Sequence, residues 1–233
     1  MNPAFQLSRL QKIDSEIDQI SLRQQEITRL IADQTIVNEI KDRISSLDAD
    51  LTTNSRDLKK IEEKNNQLQM KLQEDEHALY GGKIRLPREL QDLQNEIASL
   101  KKQISGQDEA QITSMMQVEE LESKKGEMLK ELAEAESAFA TRVAGWKGEN
   151  SSLEKKKENL TTERNAAVQN LESSFIEKYE ILRKTKRGLA VAVVVDQACT
   201  ACGSTLTPAD WQAARSPDRL VICSSCGRIL YAG

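Results

Sequence analysis

The chain contains four cysteines, all near its C-terminal end, in two pairs with two residues between the members of each pair. The pairs are Cys199 with Cys202 and Cys223 with Cys226, and a glycine follows each second cysteine. Two intervening residues let one tight turn point both sulfurs at the same ion, and glycine tolerates the positive φ that such turns need. The spacing is typical of a structural zinc site, so the sequence predicts one zinc ion per chain, bound by these four thiolates.

Two other uses of the cysteines are weaker alternatives. A redox pair needs only one Cys-x-x-Cys motif. Secreted disulfides need an export signal, and the N-terminal residues show no basic segment followed by an apolar one. Four thiolates also fill a tetrahedral shell, which leaves no position for a catalytic water. We therefore expect the metal to hold together a segment of about 45 residues whose core is too small to fold unaided.

Most of the chain carries a narrow stripe of apolar residues at alternating steps of three and four. The stripe runs over Leu10–Ile27 and Val37–Leu79, and its register slips by one residue between Leu30 and Val37. A stripe this long and narrow is typical of a coiled-coil seam rather than of a globular helix face. Four polar residues occupy seam positions, where they weaken packing but can specify register: Gln24, Asn54, Asn65 and Asp75.

The segment at about residues 80–88 interrupts the first helix. Gly81 and Gly82 favour a turn, Pro87 suits the start of a new helix, and the stripe resumes at Leu90. The sequence therefore predicts an antiparallel hairpin. The alternative, a parallel homodimer of straight rods, has no need of this break.

A turn centred near residue 83 predicts which residues of the two helices lie side by side. Leu68 should pair near Ile97, and Leu47 near Val118. The second helix is longer than the first, so its final stretch should extend past its partner and lie beside the zinc-binding segment.

Met115 and Met116 are interpreted as loose seam packing, with an adaptable contact surface as the alternative.

That final stretch has its own charge balance. Residues 147–187 contain ten Lys or Arg and seven Asp or Glu, whereas residues 1–146 contain twenty against twenty-seven. Two interpretations stay open: a contact for nucleic acid or an acidic partner, or a solvated helix face. The candidate partner-binding residues are the cations of two clusters and one tryptophan, which is either ribbon core or a partner anchor: Lys155, Lys156, Lys157, Arg183, Lys184, Lys186, Arg187 and Trp211.

The residues around the cysteines predict a zinc ribbon, that is, two metal-binding turns joined by a small antiparallel sheet. Gly188 should end the long helix, and Thr207 should cap a short helix that has Pro208 at its first position. Ser216–Asp218 should form a turn. The predicted strands are Ala190–Asp196, Leu220–Ile222 and Arg228–Tyr231.

The predicted fold class is mainly α, with a coiled-coil hairpin over residues 1–187 and a C4-type zinc ribbon over residues 188–233. No apolar run is long enough for a membrane span, so we expect a soluble, cytoplasmic protein. The only histidine is His77, and there is no phosphate-binding glycine loop or activated nucleophile. An enzyme is therefore not expected.

Two segments resemble a known family of bacterial proteins that combine a long N-terminal coiled-coil hairpin with a C-terminal four-cysteine zinc ribbon. The first is the hairpin segment Tyr80–Ile97, and the second is the ending Cys223–Tyr231. The resemblance covers nearly the whole chain. It implies an adaptor or chaperone: some members bind the alternative sigma factor of RNA polymerase, others bind flagellar or type III secretion components, and an RNA-binding role has been proposed.

Two functional hypotheses follow. In the first, the protein is a non-enzymatic adaptor that binds a protein partner through the coiled coil and the ribbon. In the second, it is a nucleic-acid-binding zinc ribbon regulator that uses the basic segment and the ribbon loops. The sequence leaves the partner and the oligomeric state, monomer or dimer, open.

Overall fold

The computed structural model describes residues 2–82, 86–216 and 219–233. Within them the chain forms five helices and four short strands. The helices are α1 (Pro3–Ala32), α2 (Thr35–Tyr80), α3 (Pro87–Gln169), α4 (Ser173–Thr185) and α5 (Pro208–Ala214). The strands are β1 (Val191–Val195), β2 (Ala198–Cys199), β3 (Val221–Ile222) and β4 (Ile229–Tyr231).

The prediction of a mainly α fold, with a long helical hairpin and a small C-terminal sheet, is confirmed. Residues 83–85 of the predicted hairpin turn lie outside the described residues. The same holds for Pro217 and Asp218 in the turn predicted between the short helix and the third strand. No helix in the described part of the chain has an apolar stretch that could cross a membrane.

The chain divides into two compact units. The hairpin unit is Gln34–Thr141, and the ribbon unit combines Met1–Asp33 with Arg142–Gly233. The predicted slip in the heptad register coincides with a helix boundary. Asp33 is extended with ψ 96° and donates its backbone N–H to the carbonyl of Arg29 over 3.0 Å, and α2 begins two residues later.

In the hairpin unit, α2 and the first part of α3 run antiparallel. Ion pairs join Lys71 to Glu96 at 2.6 Å, Asp48 to Lys125 at 2.5 Å and Lys41 to Glu136 at 2.8 Å. Residues that rise in number along α2 therefore meet residues that fall in number along α3, which is the arrangement of a hairpin.

The predicted register is wrong. Leu47 was predicted near Val118, but its neighbour Asp48 pairs with Lys125, seven residues further along α3. Side chains on a helix lean towards its N terminus. In an antiparallel pair, contacting residues are therefore displaced along the second helix, which a count from residue 83 neglects.

The seam of the hairpin unit contains polar residues, as the pattern indicates. Asn65 is 5% exposed, and its Nδ2 donates to Asp108 Oδ1 over 2.6 Å and to Gln111 Oε1 over 3.1 Å. Ser114, at 8% exposure, occupies the next seam position on α3. Met115 and Met116 are 50% and 65% exposed, so the interpretation as loose seam packing is wrong.

In the ribbon unit, α1 packs antiparallel to the last part of α3. Arg23 binds Glu149 at 2.7 Å, Glu16 binds Lys156 at 3.0 Å and Asp14 binds Arg164 at 2.6 Å. The expectation that α3 extends past its partner is therefore wrong for most of the basic stretch, because α1 accompanies α3 at least as far as Arg164.

The long second helix does not continue to residue 187. It stops at Gln169, the chain turns at residues 170–172, and α4 follows. No glycine or proline marks this break. Its physical reason is burial, because four apolar side chains around the break pack against α1 and the sheet: Leu171, Phe175, Tyr179 and Leu182.

The sheet has the order β2-β1-β4-β3. Strand β1 pairs antiparallel with β2, and β3 pairs antiparallel with β4. Strands β1 and β4 are parallel, with Val191 opposite Ile229. The sheet is therefore mixed, and the prediction of a wholly antiparallel sheet is wrong. The reason is that the connection through α5 brings β4 alongside β1 in the same direction.

Two apolar clusters cover the faces of this sheet. One joins α1, α4 and the sheet around four fully or nearly fully buried side chains: Leu7, Leu10, Tyr179 and Ile229. The other surrounds the cysteines and includes Ala192, Leu206 and Leu230, with Trp211 partly buried against it. The cysteines therefore belong to a packed ribbon core.

Candidate metal centre

The first cysteine pair lies on a tight turn that begins at Cys199, the last residue of β2. Cys199 donates its backbone N–H to the carbonyl of Ser204 over 3.0 Å, and Gly203 donates back to the carbonyl of Cys199 over 2.7 Å. Gly203 has φ 73°, a left-handed conformation that favours glycine. This turn places the sulfurs of Cys199 and Cys202 on one side.

The second pair repeats the same geometry between β3 and β4. Cys223 donates to the carbonyl of Arg228 over 2.8 Å, and Gly227, with φ 74°, donates to the carbonyl of Cys223 over 2.9 Å. The prediction that both glycines supply a positive φ is confirmed.

The four sulfurs meet in one cluster and lie within 4.8 Å of one another. Cys199 Sγ is 3.9 Å from Cys226 Sγ, and Cys202 Sγ is 3.8 Å from Cys223 Sγ. Tetrahedral zinc with Zn–S bonds of about 2.3 Å requires sulfur separations of about 3.8 Å. The cluster is therefore positioned to bind one zinc ion and fits a closed, structural site.

The metal-free thiols differ in acidity. Burial raises the pKa of Cys199 to about 12, whereas hydrogen bonds from the side chain and backbone of Ser204 lower the pKa of Cys202 to about 6. Burial acts to raise the pKa of Cys226, but hydrogen bonds from the backbone and side chain of Arg228 outweigh it and lower that pKa. Zinc binds thiolates, so filling the site releases protons from the buried thiols.

The first basic cluster of the sequence lies on α3. Lys156 forms the ion pair with Glu16, and Lys157 Nζ lies 3.4 Å from Gln24 Oε1. Lys155 is exposed. The structure therefore uses two of these three lysines to join α3 to α1.

The second basic cluster lies at the end of α4, beside the second cysteine turn. Arg183 binds Asp18 at 2.7 Å and is mostly buried, whereas Lys184 and Arg187 are exposed. Lys186 and Arg187 line a cleft together with Arg228, Cys226 and Gly227. A zinc ion with four thiolates carries a net charge of about −2, so these cations also lie where they offset the charge of the metal centre.

Trp211, the remaining candidate for partner binding, lies on α5. Its ring is half-buried against the cluster around the cysteines, and the guanidinium of Arg215 lies 5.2 Å from the ring centroid. The structure therefore places Trp211 mainly in the ribbon core.

A buried ionic network around Asp14 was not predicted from the sequence. Asp14 is 1% exposed; its Oδ2 accepts from the hydroxyl of Tyr179 over 2.7 Å and its Oδ1 accepts from Arg164 Nε over 2.6 Å. Arg164 also binds Glu180, and Arg183 Nε lies 3.7 Å from Asp14 Oδ2. This network joins α1, α3 and α4.

Gln11 was missed as well. Its Oε1 accepts from the backbone N–H of Val191 over 2.6 Å, and its Nε2 donates to the carbonyl of the same residue over 2.8 Å. Gln11 thus fills the place of a neighbouring strand at the start of β1. The only sequence signal for Gln11 and Asp14 is that they are polar residues close to an apolar stripe, which is common in coiled coils.

The fold and the thiol cluster together define a coiled-coil hairpin protein that ends in a four-cysteine zinc ribbon. The chain belongs to the family described as the CT398-like coiled coil hairpin domain, whose sequence profile matches residues 10–187. The profile of the C4-type zinc ribbon domain matches residues 198–230. A comparison with curated proteins found no match.

Three solved bacterial structures are similar to the chain over nearly its whole length. CT398 from Chlamydia trachomatis has a TM-score of 0.81 at 17% identity, with 99% of this chain and 98% of that chain covered. A protein from Mycobacterium smegmatis has a TM-score of 0.76 at 20% identity, with 100% of both chains covered. The HP0958 protein from Helicobacter pylori has a TM-score of 0.52 at 21% identity, with 97% and 95% covered. At these identities the similarity shows a shared fold.

Proposed function

We propose that the protein is a non-enzymatic adaptor that binds other proteins through its coiled coil and its zinc ribbon. In this proposal residues 1–187 supply the coiled-coil surface, and residues 188–233 supply the ribbon, which one zinc ion on the four cysteines keeps folded. The family is a structural family with no catalytic domain indicated, which supports a binding role.

The observation that carries the proposal is the balance of buried and exposed apolar side chains in the hairpin unit. Within its described residues, four hydrophobic side chains are buried: Val37, Ile40, Ile97 and Leu100. Eight large ones are exposed: Ile36, Met70, Tyr80, Leu86, Ile112, Met115, Met116 and Leu129. A helical pair that served only as a spacer would be polar on its outer faces, so exposed apolar residues favour contact with a partner.

The family resemblance suggests the class of partner. We propose an alternative sigma factor or a component of a flagellar or type III secretion system, and a cytoplasmic location, where cysteines stay reduced and available to zinc. A monomer and a dimer are both compatible with the hairpin, and sedimentation of the zinc-loaded protein distinguishes them.

Capture of partners from the native cell tests the proposal. Full-length, zinc-loaded protein serves as bait, with and without nuclease treatment, and each captured protein is then purified and its binding measured directly. We expect at least one protein to bind at micromolar affinity or better after nuclease treatment, with less than about a threefold change in Kd between 50 and 200 mM salt. Loss of all captured proteins on nuclease treatment would contradict the proposal.

Nucleic-acid binding is the second candidate, and the cations beside the second cysteine turn favour it. Lys184 and Arg187 are exposed, and Lys186 and Arg228 line the adjoining cleft. Counterion release makes such binding strongly salt-dependent. We expect Lys184→Glu with Arg187→Glu to weaken RNA binding at least tenfold in this case, and the exposed pair Lys59→Glu with Lys102→Glu on the hairpin unit is the control. RNA binding equal to the parent would remove this candidate.

A further inference from the structure

Three exposed apolar side chains of α3 lie together on one side of the hairpin unit. Ile112, Met115 and Met116 are 59%, 50% and 65% exposed, and their spacing of three and four residues puts them on one face of the helix. The seam side of the same turns carries Gln111, which accepts from Asn65, and the buried Ser114.

This arrangement reverses the usual pattern of a coiled coil. Polar residues of α3 face the partner helix, and the large apolar residues face outwards. A reversed pattern lowers the stability of the hairpin and leaves apolar area in water, so it is unfavourable unless another molecule covers the outer face. Methionine side chains are flexible and adapt to varied partner surfaces.

The charge around these residues indicates what that molecule is. Residues 103–123 contain five carboxylates and no lysine or arginine. Asp108 accepts from Asn65, and Glu120 pairs with Lys124. In the described part of the chain, the remaining three carboxylates form no ion pair: Glu109, Glu119 and Glu122. They lie on the same helix within two turns of the apolar residues, so the apolar face has an acidic rim.

We infer that this acidic-rimmed face, Ile112, Met115 and Met116 with Glu109, Glu119 and Glu122, binds a basic amphipathic helix of a partner protein. The inference rests on the proposed adaptor function and names the chemistry of the partner. The apolar face of that helix covers the three exposed side chains, and its flanking lysines or arginines meet the three free carboxylates. The face spans residues 109–122, about 20 Å of helix, which fits a partner helix of about four turns.

Binding of a synthetic probe tests the inference. The probe is a fluorescent 18-residue helical peptide with leucine on one face and lysine on its flanks, titrated with the full-length, zinc-loaded protein. We expect a Kd on the order of 10 µM, and the Kd should rise as the salt concentration rises. The same peptide with glutamate in place of every lysine should bind at least tenfold more weakly.

Two variants distinguish the contribution of the apolar face to binding from the contribution of its acidic rim. Replacing Ile112, Met115 and Met116 by Gln should weaken binding at least tenfold. Replacing Glu109, Glu119 and Glu122 by Gln should weaken it about fivefold and remove most of the salt dependence. The matched control is Met70→Gln with Leu129→Gln, which removes exposed apolar residues elsewhere on the hairpin unit and should leave the Kd unchanged. Far-UV circular dichroism and zinc content confirm that each variant is folded.

Three results would overturn the inference: no binding of the lysine peptide to the parent, equal binding of the glutamate peptide, or equal binding by the apolar-face variant. A concentration-dependent dimer that only the parent forms would also overturn it, because a second copy of the chain would then occupy the face. Failure here leaves the adaptor proposal standing if the apolar-face variant still captures the nuclease-resistant protein, and both proposals fall if the parent captures none.

Discussion

The two units of the chain are similar in length but differ in how they are held together. Among the described residues, sixteen buried hydrophobic side chains belong to the ribbon unit and four to the hairpin unit. The ribbon unit also contains the thiol cluster and the buried Asp14 network. The hairpin unit relies on a thin seam and on ion pairs whose side chains are mostly about half-exposed.

The two units also differ in net charge. The hairpin unit contains 15 Lys or Arg against 22 Asp or Glu, a net charge of −7, whereas the rest of the chain contains 18 against 15, a net charge of +3. Stability and binding surface are therefore divided between the two units. The ribbon unit buries Asp14 in contacts with Arg164 and Arg183, whereas the hairpin unit leaves carboxylates and apolar side chains available at its surface.

Loss of a zinc ligand should have the largest effect, and only on the ribbon unit. Cys202 is exposed, so Cys202→Ser changes no packing but removes one of four ligands. Structural zinc contributes an apparent free energy of about 10–16 kcal/mol, more than a small domain can lose and stay folded. We expect the amides of β1 and β4 to lose protection from hydrogen exchange while those of α2 keep it. Ser225→Ala, in the other cysteine turn, is the control, and a protected sheet in Cys202→Ser would contradict the zinc assignment.

Loss of the buried carboxylate should have the next largest effect. Asp14→Asn keeps the shape of the side chain but leaves the guanidinium groups of Arg164 and Arg183 without their buried counter-charge. We expect the free energy of unfolding to fall by about 3 kcal/mol in urea titrations. Asp18→Asn removes a half-exposed partner of Arg183 and should cost only about 0.5 kcal/mol. Equal effects of the two changes would show that the network around Asp14 is not the stabilising feature.

The ribbon unit should also lose stability at high pH. Burial and the hydrogen bond to Asp14 raise the pKa of Tyr179 well above its usual value of 10.0. Above pH 10 the unfolded chain therefore loses this proton while the folded protein keeps it. Stability then falls with rising pH by up to about 1.4 kcal/mol per pH unit.

Urea titrations at pH 9, 10 and 11 measure this slope. Tyr179→Phe should be less stable than the parent at pH 7, because a buried hydrogen bond is lost, but its stability should fall less between pH 10 and pH 11. The exposed Tyr80→Phe serves as the control and should follow the parent. A parent and a Tyr179→Phe variant with the same slope would exclude Tyr179 as the titrating group.

The hairpin unit should gain stability from an apolar seam. Asn65 is buried, and its Oδ1 has no hydrogen-bond partner within the described residues. Asn65→Leu should raise the stability of this unit by about 1 kcal/mol, as measured by hydrogen exchange in α2. Asn38→Leu, at an exposed position, should have no such effect. Destabilisation by Asn65→Leu would show that its bonds to Asp108 and Gln111 outweigh apolar packing.

The smallest effect is expected for the exposed ion pairs of the hairpin unit. Lys71 Nζ lies 2.6 Å from Glu96, but the two side chains are about half-exposed to solvent. Lys71→Gln should leave the thermal midpoint unchanged within about 1 °C, because exposed pairs contribute little. A fall of several degrees would mean that ion pairs, rather than the seam, hold the hairpin together.

Much of the fold could be predicted because its signals are local. The slip in the heptad pattern marks the place where α1 ends, although the helix boundary itself was not predicted. The cap of α5 follows from Thr207, whose Oγ1 accepts from the Asp210 N–H over 3.1 Å. The thiol cluster follows from the spacing of the cysteines. Each of these signals is a pattern of neighbouring residues, although the cysteines that meet in the cluster are 27 and 21 positions apart.

The missed features depend on residues that are far apart in the sequence. Asp14 meets Tyr179 across 165 positions, and Gln11 meets Val191 across 180. No glycine or proline signals the break before α4 in the sequence. The break results from the packing of Leu171 and Phe175 against other elements. The outward direction of Met115 and Met116 depends on the register of the two helices, which the heptad pattern alone specifies too loosely to predict.

From the sequence alone it follows that the chain forms a helical hairpin, that four cysteines close a small ribbon, and that turns lie at Gly81, at Gly188 and at the two cysteine pairs. Periodicity, spacing and turn residues act locally, so they can be recognised in the sequence. The sequence does not predict which polar residues are buried together or which apolar residues of α3 remain exposed. Those outcomes are set by packing between distant segments, where the free energy of burial outweighs local preference.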